Sequence, residues 1–497
     1  MNGHDTIVIG LGATGFSCVK HLCGGGGPGE RVYALDTRSS PPFADAVRDR
    51  FPEVEILSLG EFAQALRTAG RVVVSPGVPL DHCLVRKARA AGVALTSDID
   101  LFLEAAGAPV VGITGTNGKS TVTALASELL TASGLSAPAG GNLGTPALDL
   151  LADGVDAYVL ELSSFQLERI AAPGLTVAAI LNVTADHQDR YPDLKAYAAA
   201  KQRIYGGAKC AVYNADDPLT APAADFQGRT IALNQDPAWR LDGDLVIAGI
   251  RVPVADIALK GSHNHFNALA AAAVAHQLTE APIATTRRAL KRALAGGLPH
   301  RAAPVAEVDG VAFIDDSKAT NVGAAVAALE GFGTGDGNIV LIAGGDAKGA
   351  SFEALRPAVA RHVSYVVVIG RDAEALERGL AGCAPVLRAE GMRHAVRLAG
   401  HHARGGQSVL LSPACASFDM YESYEARGKD FAAAVSEWAV RDRSGAAGSG
   451  ALSGGARGAG PSQDRALSRG ARGACPSQDR ALSGGARGAG PSEDEAS

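Results

Sequence analysis

Long apolar runs are missing from this sequence of 497 residues, none approaching the ~20 residues needed to cross a bilayer, so no membrane-spanning segment is expected. A basic surplus is missing as well. Lys and Arg number 46 against 52 Asp and Glu, a formal charge of −6, so the clustered positive footprint of a nucleic-acid binder is absent. Paired cysteines are missing too: Cys18, Cys23, Cys83, Cys210, Cys383, Cys415 and Cys475 are scattered, odd in number and without a C-x-x-C unit, a pattern of reduced thiols in a cytosol. The first five residues carry no basic segment and no long apolar core, so no secretion signal is expected and the expected location is cytoplasmic. Aromatics are sparse at 5%, yet 47% of residues are apolar and 20% charged, the profile of a soluble α/β enzyme. The length exceeds what one hydrophobic core supports, so two or three domains are expected.

Three βα series divide the chain. The first, to about residue 97, alternates β-branched runs at 6–9, 31–35 and 72–75 with helical stretches. The second starts at residue 109, carries buried-strand candidates at 157–160 and 177–182, and closes with an Ala-rich helix after Asn267, ending near Pro299. The third runs through 311–314, 339–342, 365–369 and 408–411 to a last helix near 429–440. From about residue 443 the composition turns to Gly, Ala, Ser, Arg and Pro, and a 15-residue unit starting at Ala451 recurs at Ala466 and Ala481. Too few large apolar residues remain there to offset the entropy of ordering, so 443–497 is expected to be a disordered tail.

The stretch Gly112-Ile-Thr-Gly-Thr-Asn-Gly-Lys-Ser-Thr121 follows a strand and opens a helix whose Val122, Leu125, Ala126 and Leu129 share one face. Strand, glycine turn (Gly115, Thr116, Asn117, Gly118) and helix N-terminus make an anion site: small residues let backbone N–H groups approach phosphate oxygens, Lys119 can reach the β- and γ-phosphates, and the Ser120 or Thr121 hydroxyl can ligate magnesium. Ile113 stands where the common phosphate loop has glycine, which points to one branch of ATP users. Two further strand ends stop in polar clusters without a packing rationale: Glu161-Leu-Ser-Ser-Phe-Gln, whose acid suits a magnesium ligand, and Asn182-Val-Thr-Ala-Asp-His-Gln-Asp-Arg. Gly10-Leu-Gly-Ala-Thr-Gly15, with Asp36 ending the next strand, formally satisfies the dinucleotide fingerprint. The same turn holds any diphosphate, so a UDP-bearing substrate and a nicotinamide oxidoreductase are both open there. The separate ATP loop and the lack of a hydride-transfer constellation favour UDP.

These motifs, with His263-Asn-His-Phe-Asn, Gly297-Leu-Pro-His-Arg, Asp315-Asp-Ser-Lys-Ala-Thr-Asn, Gly344-Gly-Asp-Ala-Lys and Ser412-Pro-Ala-Cys-Ala-Ser-Phe-Asp, resemble the Mur ligases in collinear order over residues 5–440. The third series is most similar to the glutamate-adding branch of that family. The resemblance implies a Rossmann-like UDP-substrate domain (1–97), a central ATP-binding domain (98–299) and a Rossmann-like amino-acid-binding domain (300–442). It implies UDP-substrate contacts at Gly12, Ala13, Thr14, Asp36, Thr37, Arg38, Ser75, Gly77 and Asn142, with Ala13 where a larger apolar residue is usual. Around ATP it implies the phosphate loop with Asn264, Asn267, Arg301 and Asp316. Around the incoming amino acid it implies Lys318, Thr320, Lys348, Ser417 and Tyr424, the last where Phe is usual. Two magnesium ions are implied, held by Ser120, Glu161, His187 and Lys201, the lysine as its carbamate; Lys119, Glu161, His187 and Lys201 form the implied catalytic set.

The implied activity is ATP-dependent addition of D-glutamate to UDP-N-acetylmuramoyl-L-alanine in peptidoglycan precursor synthesis, without an obligate protein partner. A carboxylate does not condense with an amine in water, because oxide is a poor leaving group; phosphoryl transfer from ATP converts it to an acyl phosphate. The stereochemistry of the glutamate comes from the resemblance alone, and an L-glutamate ligase, a relative adding another amino acid, or a non-catalytic nucleotide-binding scaffold are the readings that compete with it.

Overall fold

The computed structural model describes residues 5–25, 31–142, 144–170, 172–188, 190–259, 261–279, 281–293 and 298–448, with side chains up to residue 440. Among these residues the chain forms four sheets in an α/β architecture. The first is five-stranded and parallel: β1 (Asp5–Ile9), β2 (Val32–Leu35), β3 (Glu55–Ile56), β4 (Ala69–Val74) and β5 (Ala94–Thr96), in the order β3-β2-β1-β4-β5. The second is six-stranded and parallel: β6 (Val110–Thr114), β7 (Ala139–Gly141), β8 (Tyr158–Glu161), β9 (Val177–Ile180), β10 (Cys210–Asn214) and β11 (Arg229–Leu233), in the order β11-β10-β9-β6-β8-β7. A small antiparallel sheet follows, of β12 (Trp239–Asp242), β13 (Asp244–Ile247) and β14 (Ile250–Val252). The last is six-stranded: β15 (Ala303–Val308), β16 (Val311–Asp315), β17 (Ile339–Gly344), β18 (Val363–Ile369), β19 (Val386–Arg388) and β20 (Ser408–Leu411), in the order β15-β16-β20-β17-β18-β19. In it β15 runs antiparallel to β16 and the other pairs are parallel.

The strand sequences explain this layering. β6, β9 and β17 are buried along their whole length, as parallel strands covered by helices on both faces must be. The order in the second sheet reverses at β6: the chain goes on to β7 and β8 on one side and to β9, β10 and β11 on the other. Such a switch opens a crevice at the carboxyl ends of the strands. Those ends of β6, β8 and β9 carry the phosphate loop, Glu161 and the loop from Asn182. In the last sheet β16, β20 and β17 lie side by side, so the loops bearing Lys318, Ser417 and Lys348 leave from one edge.

The helix Ser262–Ala275 is unusual in composition. Ala268, Ala270, Ala271 and Ala273 are fully buried, and the helix packs against Lys119–Ala132 as well as β12 and β13. Methyl-sized side chains allow close approach. A Cβ placed on Gly118, whose φ is +83°, would lie 2.5 Å from Asn267 Oδ1, so glycine is required there on both backbone and spatial grounds.

Several sequence expectations shift. The Ala-rich helix begins at Ser262, ahead of Asn267, and the last helix, Tyr424–Gly448, begins ahead of residue 429 and passes residue 442. The antiparallel strands β12, β13, β14 and β15 were not expected, because the βα rhythm of their surroundings favours parallel strands. The rest of the expected disordered tail, from residue 449, lies outside the described residues. No described helix is long and apolar enough to cross a membrane, and the described cysteines, Cys18, Cys23, Cys83, Cys210, Cys383 and Cys415, are free thiols.

Candidate active site

The phosphate loop leaves β6 through Gly115 (φ +156°) and Gly118 (φ +83°) and enters the helix Lys119–Ala132. Thr116 ties it to the neighbouring loop, its Oγ1 donating to Thr184 O (3.1 Å) and accepting from Thr184 N–H (3.0 Å). Asn182 clamps Asn117 from below: its Oδ1 accepts from Asn117 N–H (2.8 Å) and its Nδ2 donates to Asn117 O (3.1 Å). Lys119 Nζ arches back over the loop to Gly115 O (2.9 Å) and Thr116 O (2.8 Å). Burial draws its pKa below the usual lysine range, against the pull of Glu161 and Asp186.

Glu161, at the end of β8, is 1% exposed. Its carboxylate accepts a short bond from Ser120 Oγ–H and another from Asn142 Nδ2 (2.6 Å). Burial works to raise its pKa, but Lys119, Ser120 and Asn142 outweigh burial and hold it below the usual carboxylate range. Arg301 donates to the same Ser120 hydroxyl, which joins the last sheet's approach to the phosphate loop. Lys201, also 1% exposed, donates to Gly115 O (2.8 Å) and lies 4.3 Å from the Tyr197 ring centre. Burial first, and the Lys119 charge second, push its pKa well below the lysine value. His187 adopts φ +53° and packs its ring 4.7 Å from that of Phe165, with its Nε2 3.9 Å from Asp186 Oδ2.

From the last sheet, Lys318 Nζ lies 3.8 Å over the Tyr424 ring, and burial, reinforced by Arg301, brings its pKa to about 8. Asp316 accepts from Ser412 Oγ–H (2.8 Å) and Ala302 N–H (3.1 Å), yet burial dominates and lifts its carboxyl to about 7. Lys348 (φ +50°) points Nζ to 3.8 Å from Asp186 Oδ1. Ser417 is buried at the turn after β20.

A cavity of about 870 Å3 gathers nearly all of the residues expected around ATP, metal and amino acid. Thr116, Asn117, Gly118, Lys119, Ser120, Thr121, Glu161, His187, Lys201, Asn264, Asn267, Arg301, Asp316, Lys318, Thr320, Lys348, Ser417 and Tyr424 all line it. Gly115 stands behind this wall and contributes its carbonyl to both lysines. The expected UDP-substrate residues divide. Asn142 lines the cavity on Glu161, whereas Gly12, Ala13, Thr14, Asp36, Thr37, Arg38, Ser75 and Gly77 cluster at the carboxyl ends of β1, β2 and β4, outside its lining. There Asp36 accepts from Leu11 N–H (2.6 Å) and clasps Arg38; burial opposes ionisation, but these bonds bring its pKa to about 2. Ser75 Oγ donates to Gly10 O (3.0 Å), and a Cβ on Gly15 would fall 1.7 Å from that same oxygen, so the turn closes only with glycine.

Among the described residues no three His, Cys, Asp or Glu side chains converge as a metal-holding group. The oxygen pair of Ser120 and Glu161 beside the phosphate loop nonetheless fits magnesium, which takes one or two carboxylates, a hydroxyl and phosphate oxygens and keeps several waters.

Three residues at this site escaped the sequence reading. Asp186 faces Lys348 and also accepts from Asn321 Nδ2 (3.0 Å). Asn321 bonds the phosphate-loop Asn117. Arg427, 1% exposed, donates from Nε to Ser317 Oγ (2.9 Å), from Nη2 to Ser317 O (2.8 Å), and from Nη1 to Cys415 O (3.1 Å) and Gly344 O (3.4 Å), holding three amino-acid-side loops on one guanidinium. Asp186 and Asn321 lay within motifs already singled out, which was the available signal; Arg427 had none beyond its closeness to Tyr424.

The chain matches the family models described as "Mur ligase MurD-like, N-terminal domain" over residues 4–97, "Mur ligase middle domain" over 113–275 and "Mur ligase, glutamate ligase domain" over 300–415. It is 44% identical over 439 residues to the UDP-N-acetylmuramoylalanine–D-glutamate ligase of Marinobacter nauticus, covering 86% of this chain and 96% of that relative. With the enzyme of the same name from Pseudomonas aeruginosa it shares 45% over 449 residues, covering 88% and 98%. Its fold is similar to that of the UDP-N-acetylmuramate-alanine ligase MurC of Thermotoga maritima (TM-score 0.54, 18% identity, 89% of this chain and 99% of that one). It is also similar to MurF of Acinetobacter baumannii (TM-score 0.54, 19% identity, 74% and 92%). These relatives are ligases, which leaves the nicotinamide reading of the N-terminal glycines without support. With three family models in chain order and close relatives matched along almost their whole length, the chain belongs to the Mur ligase family.

Proposed function

We propose that this chain adds D-glutamate to UDP-N-acetylmuramoyl-L-alanine at the expense of ATP, giving ADP and phosphate, as a step of peptidoglycan precursor synthesis in the cytoplasm. The observation that carries the reading is the single cavity in which a phosphate loop with its lysine and a buried acid face the amino-acid-side cations Lys318 and Lys348.

The residues divide the work by chemistry. Lys119, with the loop N–H groups, takes up the charge that spreads over the transferring phosphoryl oxygens. Asn264, Asn267, Arg301 and Asp316 line the nucleotide side, and Gly12–Thr14, Asp36–Arg38, Ser75 and Gly77 receive the UDP group, with Asn142 nearer the reacting carboxylate. Glu161, Ser120 and His187 would hold magnesium, two ions in this reading, and the metal supplies neutralisation of phosphate and carboxylate charge. Lys201 is buried and poorly able to keep a proton, the neutral state in which an amine adds carbon dioxide, releases a proton and becomes an anionic carbamate. Lys318, Lys348, Thr320 and Ser417 receive the two carboxylates of glutamate, with Tyr424 as an aromatic wall. The deprotonated amine then attacks the acyl phosphate carbon and phosphate leaves.

The test is phosphate release from Mg-ATP and UDP-N-acetylmuramoyl-L-alanine with D-glutamate, L-glutamate or neither added. Turnover confined to D-glutamate is the expected outcome. Turnover with L-glutamate would reassign the substrate, and no turnover with either would remove the reading.

A further inference from the structure

The phosphate loop and the amino-acid side of the cavity are joined by a chain of side-chain amides with no role in the chemistry above. Asn321 is buried, and each of its amide hydrogen-bonding directions is used. Its Nδ2 donates to Asn117 Oδ1 (3.1 Å) and to Asp186 Oδ2 (3.0 Å). Its Oδ1 accepts from Asn117 Nδ2 (3.4 Å) and from Ala324 N–H (2.9 Å). Asn117 is in turn gripped on its backbone by Asn182, and Asp186 lies 3.8 Å from Lys348 Nζ. The chain thus runs from the loop after β9, through the phosphate loop, to Asn321 and back to Asp186, where it meets a lysine assigned to glutamate. Thr320 immediately precedes the hub.

Capping the helix Val322–Phe332 uses only the Oδ1 bond to Ala324, so capping alone explains one of these four bonds. The other three cross between residues far apart in sequence and need the N-terminus of that helix to be seated on the phosphate loop. The seat is close: a Cβ on Gly323 would lie 3.3 Å from Asn117 Nδ2 and 3.4 Å from Thr184 Oγ1.

We propose that Asn321 is a positioning residue that fastens the amino-acid subsite to the phosphate loop, so that glutamate is gripped well only when the loop is in its working place. Asn321 touches no reacting atom; it acts through Asn117 on one side and through Asp186 and Lys348 on the other. The inference rests on the ligase reading above.

Asn321→Ser separates the two roles, because serine caps a helix about as well as asparagine but has no amide to span the gap. Because the lost bonds are made in the free enzyme too, the variant is expected to melt roughly a few degrees below the parent while keeping the parent KM for the UDP-linked substrate. Its KM for D-glutamate should rise roughly tenfold to a hundredfold, the worth of two to three buried hydrogen bonds. Combining it with Asn117→Ala should raise KM by less than the product of the two single effects, since both remove the same bonds. Parent constants in Asn321→Ser, a full multiplicative effect in the double variant, or an equal rise in every KM would each overturn the proposal. If the parent itself releases no phosphate with D-glutamate, the ligase reading fails and takes this inference with it, whereas parent turnover that Asn321→Ser retains in full overturns the clasp alone.

Discussion

Replacing Arg427 with Met keeps the volume of the side chain and removes its donors. Arg427 is 1% exposed and gives hydrogen bonds to the carbonyls of Ser317, Cys415 and Gly344 and to the Ser317 hydroxyl, in the interior of the last sheet's loops. Burial costs the guanidinium enough to bring its pKa down to about 10, which still leaves it charged near neutral pH. With Met in place the three carbonyls lose their donor, at ~1–3 kcal/mol each; taking the low end, the loss is about 3 kcal/mol. That is a large part of the stability of a typical domain and corresponds to a fall in melting temperature on the order of 10 °C. Thermal unfolding followed by near-ultraviolet circular dichroism gives the shift, and glutamate-dependent phosphate release well below the transition gives the consequence for the loops. Arg427→Lys keeps the charge with fewer donors and should recover about half of the loss. A shift of less than ~2 °C in Arg427→Met would refute the reasoning, since the three carbonyls would then have found other partners at no cost.

Lys119→Ala should lower kcat by ~100- to 1,000-fold while the fold survives, and near-normal turnover would exclude Lys119 from the phosphoryl step. Glu161→Gln removes a charge without changing shape, so half-saturation by magnesium should move at least ~10-fold higher; an unchanged magnesium titration would place the metal elsewhere. Lys318, with a pKa of about 8, is protonated below that pH and neutral above it, so the KM for D-glutamate should climb as pH passes through about 8. Lys318→Arg stays charged and should flatten the climb; a parent KM constant across that range would show that Lys318 holds no carboxylate. Asp316 is lifted to about 7, so between its unfolded value near ~3.9 and 7 the folded chain binds the extra proton and stability falls as pH rises through that window. Asp316→Asn should reduce the dependence in a series of melting temperatures across it, and an identical slope in both proteins would contradict the assignment.

What was legible in the sequence follows from range of interaction. β6, its glycine turn and the helix Lys119–Ala132 are fixed by local rules, an apolar run, two left-handed glycines and a helical apolar face, and all were readable. Glu161 was readable because an apolar strand ending on an acid has no packing reason to do so. The hairpin of β12 and β13 was open to view through Asp242-Gly243-Asp244, with Gly243 at φ +68°, but β13 is a continuous buried Leu-Val-Ile run and β12 is buried mainly at Trp239, so neither strand alternates. β15 was hidden because its pairing with β16 reverses the parallel order of the strands around it. Asn321 and Arg427 were not legible as site residues. Each draws its role from partners distant in sequence, and an asparagine or arginine viewed alone is more often a surface residue.

The alanine face of the helix Ser262–Ala275 has a bearing on how this protein can vary. Where backbones meet across methyl groups nothing is left to trim, and each added carbon forces two helices apart. Asn267 on that helix and Gly118 at the phosphate loop are held at their spacing by this seam, so a single valine in it would be felt at the nucleotide without touching it. Natural variation and laboratory selection in the central lobe are therefore channelled away from the interior. New behaviour toward nucleotide or amino acid has to be sought along the loops of the cavity mouth, where exposed side chains such as Phe418 can change size freely.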